Sequence, residues 1–439
     1  MLMDDSRFPD RAMAGMRALW TRRRVLAGAM GVAAGGVVRR FADAAAESQP
    51  AFPPALAVSR GPESHFFGYY DKCPWDKTGR YLLGMRVGFF DRDPQPGERL
   101  VLGTIDLRDG SRFKPFDETA AWSWQQGTML QWVGSAADRE VIYNSLEGDR
   151  YVSIIRDVHS GASRKLPRPI YAVSQDGTQA VTLDYERVNR LRPGYGYIAL
   201  PEKGAEDPAP RDRGIYRMDL RSGESRLILD LRWASEHRRD ERFEDAEHWF
   251  NHLQFNPSGT RFIFLHRWRK RGERPWHTRL YTAAPDGREP RLLSDVGMVS
   301  HFDWRDDGTI LAWTRTEQHG PRFYLIDDVT GEHTVVGEGV LTHDGHCSYS
   351  PDRKWIINDT YPDRDGMQTL MLFRVADSER IVVGRFFQPE AIRGKPYRCD
   401  LHPRWNRDGT EICIDSTHEG SRQLYVIDVG GCTRGQGWQ

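Results

Sequence analysis

The chain has 439 residues, of which 28% are charged, and its 62 basic side chains balance 62 acidic ones. This balance argues against a nucleic-acid partner, which selects for a basic excess or patch. Beyond the N-terminal region, no apolar stretch is long enough to span a bilayer. The length allows two or three ordinary domains, or one large all-β domain.

Residues 1–46 have the features of an export signal. Arg22, Arg23 and Arg24 precede the apolar run 25–38, which is too short for a membrane span and is typical of a signal-peptide core. The stretch TRRRVL resembles a twin-arginine signal, and the alanine-rich residues 42–46 offer a cleavage site. The sequence therefore predicts a periplasmic or extracellular protein whose mature part is residues 47–439. The alternative is a basic, flexible tail.

One motif recurs along the mature chain. Its strong copies contain a histidine, two further residues, an aromatic residue, a polar turn and an alternating apolar strand, and they begin at His252, His301, His346 and His402. Weaker copies begin at Lys72, Leu130 and Tyr171. Each copy indicates two strands joined by a tight turn, and further strands usually follow. Seven such four-stranded units predict an all-β, seven-bladed β-propeller. The seventh unit ends after its third strand, so we expect the mature N-terminal stretch PALAVSRG to close the ring.

The motif places the first residue of each inner strand at one mouth of the central channel. Three consecutive blades thereby direct His301, His346 and His402 toward the axis, and Cys399 lies nearby in the stretch YRCDLH. Three imidazoles, with or without a thiolate, suit Zn²⁺, or Mn²⁺ if oxygen ligands dominate. The alternative is that these histidines only bond to buried backbone groups.

The other half of the predicted mouth is also polar. Its candidate catalytic or binding side chains are Gln126, Asn144, Tyr171, Arg187 and His252. Cations and amides in such an arrangement suit an anionic sugar or another carboxylate. Four tryptophans in or beside these loops are candidate walls for a sugar ring, or they pack between blades: Trp124, Trp249, Trp268 and Trp276. A long polar insertion, residues 188–212, widens the spacing between the third and fourth copies.

The repeated motif resembles the TolB-like β-propellers, and its histidines resemble those of polysaccharide lyases built on that fold. The oligogalacturonate lyases have seven blades, bind Mn²⁺ largely through histidines and use a catalytic histidine. This resemblance implies His252 as the base and His301 and His402 as metal ligands. Asp400 and Tyr397 stand closest to where the remaining ligands of that family would be expected.

The stretches HFFGYYDKCPW and PIYAVSQDG also resemble the ulvan lyases with a seven-bladed propeller. That group pairs a catalytic tyrosine with an arginine, and Tyr171 and Arg187 match this pair in position. Gln126 and Asn144 stand where histidines would be expected.

The resulting hypothesis is a lyase that cleaves a uronate-containing polysaccharide or oligosaccharide by β-elimination. Arg187, Gln126 and Asn144, or a divalent metal, would neutralise the carboxylate and stabilise the developing enolate. Tyr171 or His252 would remove the adjacent proton. The alternative is a non-catalytic periplasmic propeller that binds a glycan or a protein. The expected partner of the lyase is an anionic saccharide, and the expected state is a monomer.

Overall fold

The computed structural model describes residues 52–239 and 241–435. Within these residues the chain forms seven four-stranded antiparallel sheets, which confirms the predicted seven-bladed β-propeller. The predicted signal segment, residues 1–46, lies outside the described residues. In the described part of the chain, no helix has the length and apolar character needed to cross a membrane.

Six of the blades use four strands that are consecutive in the chain. Blades 1 to 3 contain β2 to β13, at Ser64–Phe66, Tyr81–Val87, Leu100–Asp106, Arg112–Thr119, Gln131–Trp132, Glu140–Glu147, Arg150–Asp157, Ser163–Leu166, Ala172–Val173, Gln179–Thr182, Gly214–Asp219 and Ser225–Asp230. Blades 4 to 6 contain β14 to β25, at Ala246–Phe255, Phe262–Lys270, His277–Ala283, Arg291–Gly297, Val299–Trp304, Thr309–Thr316, Gly320–Asp327, His333–Val336, Ser348–Tyr349, Trp355–Asp359, Met367–Arg374 and Arg380–Phe387. The described helices are short: α1 to α3 span Tyr185–Leu191, Leu231–Glu236 and Gly430–Thr433, and 3-10 turns span Gly134–Ala136, Glu241–Phe243 and Glu390–Ile392.

The seventh blade combines strands from the two ends of the described chain. Its inner three strands are β26 (Arg404–Trp405), β27 (Glu411–Ser416) and β28 (Gln423–Asp428), and its outer strand is β1 (Ala55–Ala57). β1 pairs with β28 over three residue pairs. This pairing confirms that the stretch PALAVSRG supplies the strand that completes the last blade.

Large apolar side chains fill the spaces between the sheets, where their removal from water stabilises the fold. Trp124, Trp249 and Trp268 are at most 1% exposed and belong to these clusters or pack against them. Of the four tryptophans considered as sugar-binding walls, only Trp276 is half-buried, and it lies in the loop that precedes β16.

The first blade departs from the repeated motif. Its inner strand begins at Ser64 rather than at Lys72, and pairing with β3 resumes only at an isolated bridge between Trp75 and Leu82. The intervening Phe67–Lys72 loop leaves the sheet and carries two tyrosines to the axis of the ring. The aromatic composition of this loop resembles that of a strand, so the sequence did not reveal it.

A buried ion-pair cluster from blade 7 fixes this loop. Arg404 donates to the carbonyl oxygen of Tyr69 at 3.2 Å and to that of Gly68. The carboxylate of Asp415 pairs with Arg404 at 2.9 Å and with Arg422 at 3.0 Å, and all three side chains are at most 1% exposed. The start of the chain's first blade is thus held by its last blade.

Candidate functional site

Three histidines meet at the axis of the ring, as the repeated motif predicts. The ring centroid of His346 lies 4.1 Å from that of His301 and 4.3 Å from that of His402, and all three side chains are buried. Tyr69 and Tyr70 cover this cluster from the Phe67–Lys72 loop, with ring centroids 5.0 Å from His402 and 5.3 Å from His346.

Within the described residues, one group of side chains has the geometry of a metal-ligand set. It consists of His346, Asp400 and His402, whose donor atoms all lie within 4.8 Å of one another. His346 directs Nδ1 to the carboxylate of Asp359 at 3.0 Å, and its Nε2 has no hydrogen-bond partner, nor has either ring nitrogen of His402. Buried polar atoms normally have partners, and a carboxylate behind a ligating imidazole is a usual metal-site arrangement. Two imidazoles and a carboxylate suit Zn²⁺ or Mn²⁺.

The structure places Cys399, a predicted ligand, outside this set. Burial raises the pKa of its thiol to about 12, and the charges that act most strongly on it are those of Arg422 and Asp415. Its neighbour Asp400 faces the histidines instead and also pairs with Arg398 at 2.8 Å. His301 stays beside the set, with Nδ1 held by Asp344 at 2.9 Å.

A second group joins Tyr171, His252 and Gln126. The amide nitrogen of Gln126 donates to the Tyr171 hydroxyl, which lies 3.1 Å from Nδ1 of His252. Because an amide nitrogen can only donate, the Tyr171 oxygen accepts this bond and its proton is directed to His252. Tyr69 stacks on the imidazole, with ring centroids 4.9 Å apart.

Burial and nearby charges keep both members of this pair uncharged. Burial and the charge of Asp71 raise the pKa of Tyr171 well above its ordinary value. Burial and the charges of Arg267 and Arg192 lower the pKa of His252 well below its ordinary value. A phenol therefore faces a neutral imidazole at neutral pH.

The backbone is strained at two of these histidines. His252 has a φ of +51° and His402 a φ of +43°, in the left-handed region that residues other than glycine rarely occupy. At His252 the pairing of β14 with β15 shifts register between Asn251 and Gln254. Such strain costs of order 1–3 kcal/mol and concentrates at functional sites.

The structure does not bring Arg187 to Tyr171, although the two were predicted to act as a pair. Arg187 lies on α1, where its guanidinium bonds to Glu202 at 2.6 Å and to the carbonyl oxygens of His248 at 2.7 Å and Pro208 at 2.6 Å. Its donors are thus occupied by the blade 3 insertion and by β14.

Asn144, another predicted site residue, is similarly occupied. Its side chain donates to the Ile170 carbonyl at 2.7 Å and to the Tyr197 hydroxyl at 2.8 Å, and accepts from the Ile170 amide at 2.7 Å. These bonds hold the segment that leads into Tyr171, so Asn144 positions the tyrosine from behind.

A second buried arginine, Arg267, exerts its charge on Tyr171, the role that was predicted for Arg187. It is 3% exposed, and its Nε and Nη1 atoms have no hydrogen-bond partner. Burial and the neighbouring charge of Arg192 lower its pKa to about 9. Both guanidiniums face Trp276, at 4.7 Å for Arg192 and 5.8 Å for Arg267. The guanidiniums of Arg192 and Arg267, together with the half-buried indole of Trp276, suit a carboxylate attached to a sugar ring.

The insertion of blade 3 crosses the mouth of the channel. Its residues 192–197, here called the mouth strap, follow α1 and reach the connection between blades 1 and 2. There the backbone amide of Gln125 donates to the Gly194 carbonyl at 3.1 Å. On the far side, Arg398 donates to the Tyr195 hydroxyl at 3.0 Å. The Tyr195 ring stands perpendicular to His252, with centroids 5.6 Å apart. The insertion therefore contributes to the site rather than only lengthening a loop.

Solved structures share this fold at low sequence identity. Oligogalacturonate lyase from Vibrio parahaemolyticus is 12% identical, with 85% of this chain and 93% of that chain covered and a TM-score of 0.57. The β-propeller domain of the Trilobed protease from Pyrococcus furiosus is 11% identical over 83% and 96% of the two chains, with a TM-score of 0.47. TolB from Acinetobacter baumannii is 18% identical over 70% and 64%, with a TM-score of 0.39.

No protein-family model matches the sequence, and no curated protein matches it. At the identities above, the likeness to solved structures concerns the fold alone. The class that follows is a seven-bladed β-propeller.

Proposed function

We propose that this protein is a monomeric lyase that cleaves a uronate-containing polysaccharide or oligosaccharide by β-elimination. One observation supports this most: a phenol bonded to a neutral imidazole feels the charge of a buried guanidinium, Arg267, whose Nε and Nη1 atoms have no hydrogen-bond partner. The first pair can move a proton, and the second group can neutralise a carboxylate. Elimination next to a carboxylate requires both.

The substrate carboxylate accepts a hydrogen bond from the guanidinium of Arg267, whose Nε and Nη1 atoms have no other partner, and this bond stabilises the charge that develops when the adjacent C–H bond breaks. The Tyr171 oxygen removes that proton while its own proton passes to Nδ1 of His252, and Gln126 continues to donate to the Tyr171 oxygen. The electron pair of the C–H bond forms a double bond to the next carbon. The glycosidic C–O bond on that carbon breaks at the same time, and its electron pair goes to the leaving oxygen.

We propose a divalent metal, Zn²⁺ or Mn²⁺, at His346, Asp400 and His402. When bound, it would supply a Lewis acid for a substrate carboxylate. Elemental analysis of the purified protein should detect the ion, His402→Ala should lose it, and Cys399→Ala should keep it. An unchanged metal content in His402→Ala would contradict this ligand set.

The activity is tested through the ultraviolet absorbance of a newly formed unsaturated uronate. Pectate fragments, ulvan and glycosaminoglycans are incubated with protein that lacks residues 1–46, with and without a chelator. We expect the absorbance to rise with at least one of them, and His252→Ala and Tyr171→Phe to lower the rate by about 10²–10⁴-fold, the usual contribution of acid–base catalysis. If the folded, metal-containing protein produces no absorbance change with any polyuronate, the proposal is contradicted and a non-catalytic binding propeller is favoured.

We also propose that residues 1–46 direct export to the periplasm or beyond, where anionic polysaccharides are encountered. Replacing Arg22, Arg23 and Arg24 with lysine should retain the precursor in the cytoplasm, as measured by cell fractionation. Normal export of this variant would contradict a twin-arginine signal.

A further inference from the structure

Tyr195, on the mouth strap, stands beside the proton-removing pair. Its ring is perpendicular to that of His252 at 5.6 Å between centroids and to that of Tyr69 at 6.3 Å. The proposed elimination requires a proton for the departing glycosidic oxygen as well as a group that removes one. The position of Tyr195 therefore raises the question of whether its hydroxyl can donate.

The hydrogen bond to Arg398 leaves the Tyr195 proton available. A guanidinium has only donors, so the Tyr195 oxygen must accept the 3.0 Å bond from Nη2 of Arg398. Arg398 is held in place by its ion pair with Asp400. Among the described residues, no acceptor is bonded to the hydroxyl proton of Tyr195, which is free for a ligand at the mouth.

Two cations favour the ionised form that remains after donation. The guanidinium of Arg192 lies 4.0 Å from the centre of the Tyr195 ring, and Arg398 bonds to its oxygen. Burial alone would raise the pKa of Tyr195, but the charges of Arg398 and Arg192 lower it to about 8. The other ionisable groups whose charge reaches this tyrosine are Asp400, Tyr69, Tyr171, Tyr361, Arg267 and His346.

We propose that Tyr195 is the general acid of this reaction and donates its hydroxyl proton to the glycosidic oxygen as the C–O bond breaks. The inference rests on the proposed lyase function. The substrate proton ends on the Tyr171–His252 pair, the electron pair of the C–O bond goes to the leaving oxygen, and Tyr195 becomes a tyrosinate. Water returns the proton to Tyr195 from His252 after product release, so the cycle needs no other reactant.

The pH dependence of kcat/KM follows from this role. A general acid must be protonated, so the rate should fall as the pH rises above about 8. Arg192→Gln removes one cation that stabilises the tyrosinate and should move this falling limb to higher pH. An unshifted limb in Arg192→Gln would contradict the assignment.

A substrate whose leaving group needs no proton distinguishes a general acid from a residue that only supports the structure. On a natural uronide, Tyr195→Phe should lower kcat by about 10²–10⁴-fold. On a uronate with an aryl ether at the cleaved position, it should retain most of the wild-type rate, because a phenolate departs unaided. Tyr197→Phe, which loses a hydroxyl on the same strap, should affect both substrates alike. Equal losses on both substrates in Tyr195→Phe would assign Tyr195 a merely structural role.

A spectroscopic titration tests the inference without any substrate. The ultraviolet difference spectrum of the wild type should show a tyrosine that ionises near pH 8, and Tyr195→Phe should lack it. Its absence from the wild type would overturn the inference. A wild type inactive on every uronate contradicts the proposed function itself, whereas an active wild type with a fully active Tyr195→Phe contradicts only this step.

Discussion

Arg187 and Arg267 are both buried arginines near the mouth, but their surroundings differ. Arg187 has a carboxylate and several carbonyl oxygens as partners. Arg267 has Nε and Nη1 atoms without any. An unpaired buried donor costs about 1–3 kcal/mol, so the arrangement around Arg267 is expected where the protein binds an anion. We therefore assign the carboxylate contact to Arg267 and a structural role to Arg187.

Substituting each arginine distinguishes the two roles. Arg267→Gln should lower kcat/KM for a uronate by about 10²–10³-fold, as for loss of one preorganised charge-stabilising donor, and should leave thermal stability intact. Arg187→Gln should instead lower the free energy of unfolding by about 1–3 kcal/mol, because buried acceptors lose their donor, although Glu202 keeps its ion pair with Arg190. The exposed Arg274→Gln serves as the control for both assays. A loss of stability in Arg267→Gln and a loss of activity in Arg187→Gln would instead assign the carboxylate contact to Arg187.

For individual residues, the sequence predicted those that occupy equivalent positions in the copies of the motif. The repeat correctly indicated which histidines meet at the axis and that Tyr171 and Gln126 lie near His252. It did not predict Arg267, which lies within the second strand of blade 4, whereas the motif marks the first residue of each inner strand. Nor did it predict Tyr195, which lies in an insertion that no other blade repeats.

The Phe67–Lys72 loop shows how one element depends on a distant one. Its two tyrosines cover the histidine cluster, yet its carbonyl groups are held by Arg404 of blade 7. Arg404 is oriented by Asp415, which also pairs with Arg422. The alternating strands and polar turns were predictable from the sequence, but this loop was not, since its contacts are made more than 300 residues away.

Asp415→Asn tests this dependence. The substitution keeps the shape of the side chain but leaves two buried guanidiniums without a counter-charge, so we expect the free energy of unfolding to fall by about 3–5 kcal/mol. Urea unfolding measures the change, and Asp408→Asn, at an exposed turn, is the matched control. Equal stability of the two variants would show that the cluster does not hold the loop.

On the scale of the whole molecule, strand β1 closes the ring by pairing with β28. A propeller without such closure exposes the edge of its last blade and loosens the contact between the last and first blades. The repeats predicted this closure because the seventh unit lacks a fourth strand. The sites on the axis draw residues from several blades, so they require a closed ring.

Removing the closing strand should therefore destabilise the molecule. We expect a chain that begins at Arg60 to lose about 3–5 kcal/mol of unfolding free energy relative to one that begins at Phe52, since each lost backbone hydrogen bond contributes about 1 kcal/mol. Thermal and urea unfolding measure the difference. Equal stability of the two chains would mean that β1 does not close the ring.

We propose that the Tyr171–His252 site cleaves a uronide by elimination rather than by hydrolysis. The most direct test is mass spectrometry of the products. Elimination adds no water, so the product masses should sum to the mass of the substrate. Product masses that sum to the substrate plus one water would show hydrolysis and contradict the proposed elimination.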